Sequence, residues 1–407
     1  MSRRVPSEPP PVRRSRVAYL AHTSALSGAE LALLHVLPGV TRHVDVVVVL
    51  AEDGPLADRL AGVGVETLVL PLREDVRTVH RDAVTLRGTA RQLVELGRHV
   101  LALRRLLRAR RVDVVHCNSL KSSFYGGLAG RLAGVAVVWH LRDRIDTDSM
   151  PPRAVRLVRA AARVLPDVVV ANSRATLTTV FPHDGGPRWL PRRTVVLDGV
   201  EGPGPRPVPV PVTPGPVVGM VGRLAPGKGQ DLFLRAFAAA FAGTSARAVV
   251  VGSAMFGEDA YAATLSPLCE RLGIAGQVEF RGFREDVWAE LARMDVLVHC
   301  STSPEPFGQV VVEGMAAGLC VLAADEGGPR EIVRDGVDGL LVPPRDVDAL
   351  AAAMASCVAD PALRARLGRA ARQRAQEFSV GASAGGLVDV YERLAPAHRR
   401  VLAGASR

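Results

Sequence analysis

The chain has 407 residues, of which 48% are hydrophobic and 23% are charged. This size and composition are typical of a globular α/β protein with two domains, and no apolar run approaches the roughly 18 residues that are needed to span a bilayer. The net charge is +10, with an excess of 12 positive charges in residues 1–200 and of 2 negative charges in residues 201–407, which predicts an anionic partner for the first half.

The N-terminal residues and the cysteines bear on where the protein is located. Residues 1–15 are basic and rich in proline, without the apolar core of a signal peptide, so we expect a disordered tail. The cysteines have no spacing typical of a metal site, and three of them begin or end apolar, strand-like runs. This usage predicts reduced core residues in a cytoplasmic protein. The five are Cys117, Cys269, Cys300, Cys320 and Cys357.

Strand-like and helical runs alternate through the first 200 residues, which predicts a mainly parallel sheet. The predicted strands cover residues 17–21, 45–51, 112–117, 135–140, 167–171 and 194–197. A turn of small residues follows the first strand and leads into a helix over residues 29–37. Gly28 in that turn would let the backbone approach a phosphate, although an ordinary strand-to-helix turn explains it equally well.

A predicted helix over residues 91–111 has leucine and valine on one face and seven arginines elsewhere. This pattern favours a helix that packs on the core and exposes its charges. The alternative is a basic amphipathic helix that rests on an anionic membrane.

The fourth predicted strand ends in His140. A histidine at a strand end is more often structural than chemical, but this one closes a strand at the edge where ligands of parallel sheets bind. We expect a surface ion pair for Arg142 and Asp143, and a turn-forming role for Asp198 before Gly199. The Asp146, Thr147, Asp148 run has the form of a metal motif, but its polar loop favours a turn.

Residues 201–216 hold seven prolines, which predicts a stiff linker and a domain boundary. A strand over residues 217–221 and a helix over residues 230–240 enclose the turn GRLAPGKG. Gly222, Gly227 and Lys228 match the first part of a phosphate-binding P-loop, but Gly229 stands where the magnesium-binding Ser or Thr is required. Later strands are predicted at residues 248–252, 278–282, 295–300 and 339–342, with Asp346 capping the next helix.

The segment from residue 301 to 336 carries two glutamates, Glu305 and Glu313, separated by seven residues. Glu305 is predicted in the loop after a buried strand, and Glu313 about two turns later, in a helix over residues 310–317. This arrangement suits a ligand with hydroxyls near one carboxylate and an anionic group over the helix start.

These motifs together resemble family 4 of the retaining glycosyltransferases, which have the GT-B fold. The resemblance lies in the two spaced glutamates, the Phe307 and Gly308 step after Glu305, and the later Gly-Gly-x-x-Glu that ends in Glu331. It implies an α/β fold of two Rossmann-like domains, with mainly parallel sheets that face a central cleft. The implied domains are residues 16–200 for the acceptor and 217–378 for the nucleotide sugar, with a helix over residues 379–396 that crosses back to the first.

The resemblance also implies roles for individual residues. His140 and Glu305 would be catalytic, while Arg223, Lys228 and Gly28 would bind the donor diphosphate. The ribose and the donor sugar would be bound by Glu305, Phe307, Gly308, Gln309 and Glu313. The leaving phosphate itself would receive the acceptor proton, so that no dedicated base is needed.

The implied activity is the transfer of a hexose, with retention, from a UDP- or GDP-linked sugar to a lipid, a glycan precursor or a small natural product. No cofactor and no metal are expected. A non-hydrolysing epimerase of nucleotide sugars, a binding protein without catalysis and a P-loop NTPase remain alternatives. No nucleic-acid partner is expected, because aromatic residues make up only 4% of the chain. The predicted location is cytoplasmic, with peripheral contact to the inner face of the membrane as an option.

Overall fold

The computed structural model describes residues 13–73, 86–148, 150–183, 190–202, 215–255 and 257–404. Most of the predicted N-terminal tail and most of the predicted proline-rich linker lie outside these residues. Those two assignments therefore stay predictions.

The described chain alternates strands and helices, as the sequence predicts. The strands are β1 Arg16–Ala21, β2 Asp45–Leu50, β3 Glu66–Val69, β4 Val114–Cys117, β5 Ala136–Leu141, β6 Val168–Ala171, β7 Arg192–Val195, β8 Val217–Val221, β9 Arg247–Val251, β10 Val278–Gly282, β11 Val296–His299, β12 Cys320–Ala324 and β13 Leu340–Val342. The helices are α1 Gly28–Val40, α2 Pro55–Gly62, α3 Leu86–Ala109, α4 Leu120–Ala133, α5 Pro152–Val164, α6 Arg174–Val180, α7 Gln230–Phe241, α8 Asp259–Arg271, α9 Val287–Leu291, α10 Gln309–Ala317, α11 Pro329–Ile332, α12 Val347–Ala359, α13 Pro361–Ala375 and α14 Val380–Gly404.

The strands form two sheets with related strand orders. The first is β3-β2-β1-β4-β5-β6-β7 and the second is β10-β9-β8-β11-β12-β13. The registers that the structure gives are parallel in both sheets. The strand order reverses between β1 and β4 in the first sheet, and between β8 and β11 in the second. A reversal beside the first strand of the sheet is the Rossmann arrangement. The predicted class of two mainly parallel α/β sheets is confirmed.

The second sheet is covered on both faces, as parallel sheets require. Successive side chains of a strand point to opposite faces, and the buried residues divide accordingly. One core cluster takes Val218, Val250, Val296, Val298 and Leu322. The other takes Val217, Val249, Val251, Leu297 and Val321. Double-sided burial explains why these strands read as continuous apolar runs in the sequence.

The chain divides into two compact units. The first contains the described residues within Met1–His140, Leu165–Val168 and Ala384–Arg407, and the second contains those within Leu141–Val164 and Val169–Ser383. The last helix thus contributes its residues from Ala384 onward to the first unit. Among the helices of the described ranges, none combines the length and the apolar character needed to cross a membrane.

Two strands lie outside the strand predictions made from the sequence. β3 has four residues at the edge of its sheet, and three of them are half-buried, so its apolar signal is weak. β12 starts two residues after Gly318, which ends α10 in the left-handed conformation. The five cysteines are all buried, which confirms their predicted place in the core.

Candidate active site

Two loops meet at the carboxyl edge of the second sheet, where the strand order reverses between β8 and β11. Ligands of open parallel sheets bind at such an edge, because the flanking loops diverge there. The loop after β8 carries Lys228, and the loop after β11 carries Glu305. The Lys228 ammonium lies 2.6 Å from Glu305 Oε1, and the two side chains are 32% and 15% exposed. The structure thus brings together two of the predicted site residues.

Three side chains surround the Glu305 carboxylate. Ser301 Oγ donates to Glu305 Oε1 at 2.6 Å, and His299 Nε2 lies 3.5 Å from the same oxygen. Burial alone would raise the pKa of Glu305, but the charge of Lys228 and the hydrogen bond from His299 hold that pKa well below its usual range. The site therefore presents an ionised carboxylate beside an ammonium group at neutral pH.

The loop that carries Glu305 rests against Gly327 and Gly328. Gly328 N donates to the Glu305 carbonyl oxygen at 2.9 Å. A Cβ on Gly328 would lie 2.1 Å from the Phe307 carbonyl oxygen, and one on Gly327 would lie 2.5 Å from the Glu305 carbonyl oxygen. Neither approach leaves room for a side chain, so the glycine pair fixes the path of the Glu305 loop.

Helix α10 begins directly after this loop. Gly308 precedes it with φ 111°, a conformation that favours glycine, and Gln309 is its first residue. The Phe307 side chain is 3% exposed and packs in the core, with its ring centroid 6.2 Å from that of Phe378. Residues 307 and 308 can therefore offer a ligand only backbone groups, among them the N–H groups that a helix start leaves without partners in the helix.

Glu313 lies in the second turn of α10, four residues after Gln309 and so on the same side of the helix. Burial raises the pKa of the Glu313 carboxyl to about 7. The two predicted glutamates thus have opposite shifts. Near neutral pH Glu305 is ionised, while Glu313 is divided between its acid and its carboxylate.

The second predicted cation, Arg223, lies on the same turn as Lys228. Its Nη1 is 2.8 Å from Glu258 Oε2, and its carbonyl oxygen accepts a hydrogen bond from Gln230 Nε2 at 2.9 Å. Each of the two cations is therefore paired with its own carboxylate. Both side chains keep about a third of their surface exposed, at 33% and 32%, so both remain accessible to an anion.

The P-loop interpretation of this turn conflicts with the geometry of Gly229. This residue has φ 79°, and a Cβ there would lie 2.3 Å from the Cys300 carbonyl oxygen. A Ser or Thr at this position would collide with the backbone directly after β11, so the turn has no place for the magnesium-binding hydroxyl of a P-loop. Within the described residues, no group of three or more histidine, cysteine, aspartate or glutamate side chains could hold a metal ion.

Two predicted site residues, His140 and Gly28, belong to the first unit. His140 lies in β5, is 1% exposed, and has Nδ1 3.1 Å from His116 Nε2. Gly28 is the first residue of α1, and the preceding Ser27 hydroxyl donates to the Glu30 carboxylate. The sequence assigned no role to His116 or to Glu30.

Two assignments made from the sequence are wrong. Arg142 forms a buried ion pair with Asp198, with side chains 6% and 7% exposed, instead of a surface pair. Asp198 also accepts a hydrogen bond from Asn172 Nδ2 at 3.1 Å, so it is more than a turn residue. The physical reason is that these residues follow neighbouring strands of a buried sheet edge, where a charge requires a partner.

Two residues beside Glu305, and one residue of the glycine-pair motif, lie outside the site residues predicted from the sequence. His299 and Ser301 contact Glu305. His299 ends the buried strand β11, and Ser301 comes two residues later. A search for polar residues at the carboxyl ends of apolar strands would have found them. Glu331, predicted only as part of a motif, accepts hydrogen bonds from the backbone N of Arg174 at 2.9 Å and of Ala175 at 2.5 Å, and so caps α6.

Two protein-family models match this chain. The model "Glycosyl transferases group 1" matches residues 206–374, and the model "Glycosyltransferase Family 4" matches residues 26–197. The first match contains the Lys228 and Glu305 pair, and the second contains Gly28 and His140.

Several curated proteins are similar in sequence. A D-inositol 3-phosphate glycosyltransferase of Streptomyces scabiei is 30% identical over 399 residues, which cover 85% of this chain and 86% of that protein. The enzyme of the same name from Streptomyces avermitilis is 37% identical over 185 residues, or 44% of this chain and 40% of its own length. The lipopolysaccharide core biosynthesis glycosyltransferase LpsE of Rhizobium meliloti is 34% identical over 44% of this chain and 49% of its own. The last two matches thus span less than half of those relatives.

Solved structures share the fold along most of the chain. HepE of Anabaena, in complex with UDP and glucose, has a TM-score of 0.77 and 27% identity, and the match covers 93% of this chain and 100% of HepE. Sucrose-phosphate synthase of Thermosynechococcus elongatus has a TM-score of 0.75 and 20% identity over 94% and 100% of the two chains, and that likeness concerns the fold alone. With a relative at 30% identity over most of both chains and matching models in both halves, the chain belongs to family 4 of the glycosyltransferases, a family of transferases with the GT-B fold.

Proposed function

We propose that this protein transfers a hexose from a UDP-linked sugar to an acceptor, with retention of the anomeric configuration. The observation that carries the proposal is the Lys228 and Glu305 pair, which lies at the strand-order reversal of the second sheet. The sequence left uridine and guanosine open. HepE, whose structures contain UDP and UDP-glucose, matches 93% of this chain at 26–27% identity, which supports uridine.

Lys228 and Arg223 are proposed to bind the donor diphosphate. Negative charge accumulates on the leaving diphosphate as the bond to the sugar breaks, and fixed cations stabilise that charge. Both side chains are partly exposed and lie on one short turn after β8. Arginine can also donate two parallel hydrogen bonds to one phosphate. Two cations at the diphosphate support a reaction that needs no metal ion.

The two glutamates are proposed to bind opposite ends of the donor. Glu305 is ionised and would accept hydrogen bonds from the sugar hydroxyls. The backbone N–H groups of residues 307–309 would donate hydrogen bonds to the hydroxyl oxygens. Glu313 would accept hydrogen bonds from the ribose hydroxyls. Because burial raises the pKa of Glu313 to about 7, ribose binding would favour its ionised form and lower that pKa.

His140 and Gly28 keep the roles that the family resemblance implies. His140 would act near the reacting carbon, and the backbone at Gly28 would approach the diphosphate. The acceptor hydroxyl would pass its proton to the leaving phosphate, so this chain would supply no general base. Its own residues would bind the donor, orient it and stabilise charge.

The proposed acceptor is a lipid, a glycan precursor or a small natural product, and the proposed location is cytoplasmic with contact to an anionic membrane. Helix α3 supports the membrane contact. Its exposed apolar residues include Leu93, at 63%, and Leu101, at 45%. They share the helix with arginines, among them Arg98, Arg104 and Arg108, and such basic amphipathic helices bind anionic lipid surfaces.

The test is an NMR assay with UDP-glucose labelled at the anomeric carbon, with and without a panel of acceptors that includes D-inositol 3-phosphate, lipid and oligosaccharide. We expect UDP and a glycosylated product whose anomeric configuration matches that of the donor, formed equally well in excess chelator. The rival epimerase would convert the donor into a second UDP-sugar with no acceptor present. That conversion, or inversion in the product, would contradict the proposal.

A further inference from the structure

Four aromatic side chains form a continuous chain of hydrogen bonds inside the first unit. Tyr19 Oη lies 2.5 Å from Tyr391 Oη, and Tyr391 Oη lies 2.8 Å from His116 Nδ1. The other ring nitrogen of that histidine, Nε2, lies 3.1 Å from Nδ1 of His140. All four side chains are at most 1% exposed. This group, which we name the Tyr-His chain, connects the last helix of the protein with β5.

The strand register explains why these residues meet. Tyr19 in β1 is directly opposite His116 in β4, and their ring centroids are 4.4 Å apart. His116 is in turn opposite Val138 in β5, and His140 comes two residues later, on the same face of the sheet. Tyr391 is supplied by α14, in the part of that helix that belongs to the same unit.

The direction of the hydrogen bonds follows from the acidity of the groups. A phenol, with a pKa of about 10, is a much stronger donor than a neutral imidazole N–H, and the bare imidazole nitrogen is a much stronger acceptor than a phenol oxygen. The favourable direction is therefore from Tyr391 O–H to His116 Nδ1. A neutral His116 then carries its proton on Nε2 and donates it to His140 Nδ1.

We propose that Tyr391 and His116 are positioning residues that hold His140 in one orientation and in the tautomer that carries its proton on Nε2. The tautomer of a histidine is set by the hydrogen bond at its other nitrogen. Here His140 Nδ1 accepts that bond from the Nε2–H group of His116, so the proton of His140 is on Nε2. The proposal rests on the proposed function for its link to catalysis. The tautomer itself is a property of the chain alone.

The consequence for the reaction concerns what His140 can offer a donor. With its proton on Nε2, the ring is a hydrogen-bond donor at that nitrogen and cannot act there as a general base. Such a group suits an oxygen of the nucleotide sugar, either a sugar hydroxyl or a phosphate oxygen. It also agrees with a reaction in which the leaving phosphate takes the acceptor proton.

The experiment is a two-bond ¹⁵N–¹H correlation spectrum of the full chain labelled with ¹⁵N-histidine, in which the His140→Gln variant assigns the His140 signal. The wild type should show His140 in a single tautomer with the proton on Nε2. In Tyr391→Phe, which keeps the ring and removes the hydroxyl, the signal should shift towards a mixture of tautomers. With UDP-glucose and an acceptor, kcat should fall about fivefold to tenfold, with KM for the donor changed by less than about twofold.

The matched control is Tyr125→Phe, because Tyr125 is also buried in the first unit but its ring contacts His99 instead of the Tyr-His chain. This control should leave the His140 tautomer and kcat at the wild-type values. Should Tyr391→Phe fail to fold, His116→Phe removes the Nε2 atom that lies 3.1 Å from His140 Nδ1 and should give the same mixed tautomer. A proton on Nδ1 of His140 in the wild type, or an unchanged His140 signal in the folded variants, would overturn the proposal. The spectra report this even if no transfer is detected, which would count against the proposed function alone.

Discussion

The Lys228 ammonium and the Glu305 carboxylate form an ion pair at 2.6 Å, although they lie 77 residues apart in the sequence. The pair joins the turn after β8 to the loop after β11 at the edge where the second sheet reverses its strand order. Lys228 is proposed to bind the donor diphosphate, and a partly buried cation needs a compensating charge when no diphosphate is bound. Glu305 supplies that charge. Under the proposal, donor binding would transfer the Lys228 contact from Glu305 to the diphosphate.

Substitution of Lys228 by Met should weaken UDP binding. The ammonium is proposed to make a charge-assisted contact with the diphosphate, and the loss of such a contact raises Kd by about 10- to 100-fold. Lys228→Arg should recover part of the affinity. The control is Arg271→Met, which removes a positive charge from the exposed end of α8 and should leave Kd unchanged. Calorimetric Kd values for the three variants check this, and an unchanged Kd in Lys228→Met would contradict the assigned role.

Substitution of Glu305 by Gln should separate binding from turnover. This carboxylate is proposed to contact the sugar and not the diphosphate, so UDP should bind the variant at least as tightly as the wild type. Transfer from UDP-glucose should fall by about 100-fold or more, as when a preorganised charged group at the reacting centre is lost. The exposed Glu270, replaced by Gln, is the control. Equal losses of UDP affinity and of kcat in Glu305→Gln would place that residue at the diphosphate instead.

The raised pKa of Glu313 predicts how stability changes with pH. The folded protein holds a proton on Glu313 up to about pH 7, whereas the unfolded chain releases it near pH 4.5. The folded state thus binds more protons in this range, and the free energy of unfolding falls as the pH rises through it. Glu313→Gln has no carboxyl group at this position, so its stability does not fall in this way as the pH rises. The difference in Tm, variant minus wild type, should therefore be larger at pH 8 than at pH 5. Thermal unfolding at both values tests this, and an equal Tm difference at both would contradict the assigned shift.

Substitution of Gly229 by Ala should lower the free energy of unfolding by more than the positive φ of this residue alone explains. Gly229 and Gly243 have almost the same φ, 79° and 77°, but a Cβ on Gly229 would lie 2.3 Å from the Cys300 carbonyl oxygen, whereas one on Gly243 meets no atom within 4 Å. Gly243→Ala should cost about 1–2 kcal/mol from its left-handed backbone. Gly229→Ala should cost more and should also weaken UDP binding, because Lys228 is the preceding residue. Denaturant unfolding of both variants measures the difference, and equal costs would show that the close approach is unimportant.

The sequence was most informative where function depends on local chain geometry. The turn from residue 222 to 229 and the loop from residue 301 to 309 are strand-to-helix connections, as the sequence predicts, because glycines, a helix stop and buried apolar runs mark both. Parallel sheets followed from the alternation of strands and helices. These signals come from residues that are close together in the chain, so a single sequence is enough to show them.

The partners of the site residues were not predictable in the same way. Arg142 meets Asp198 across 56 residues, and His116 meets Tyr391 across 275 residues. Such contacts depend on strand order and on the path of the last helix, which no local pattern specifies. A buried charge or a polar residue at a strand end indicates that a partner is needed, but it does not indicate which residue that partner is.

The most direct test of the proposed function is calorimetric titration of the purified protein with UDP, GDP and ATP, each with and without excess chelator. We expect UDP to bind with a Kd that the chelator does not change, GDP to bind more weakly, and ATP with magnesium to show no binding. Binding of ATP that requires magnesium, with no binding of UDP or GDP, would contradict the assignment of the Lys228 and Glu305 site to a nucleotide-sugar donor.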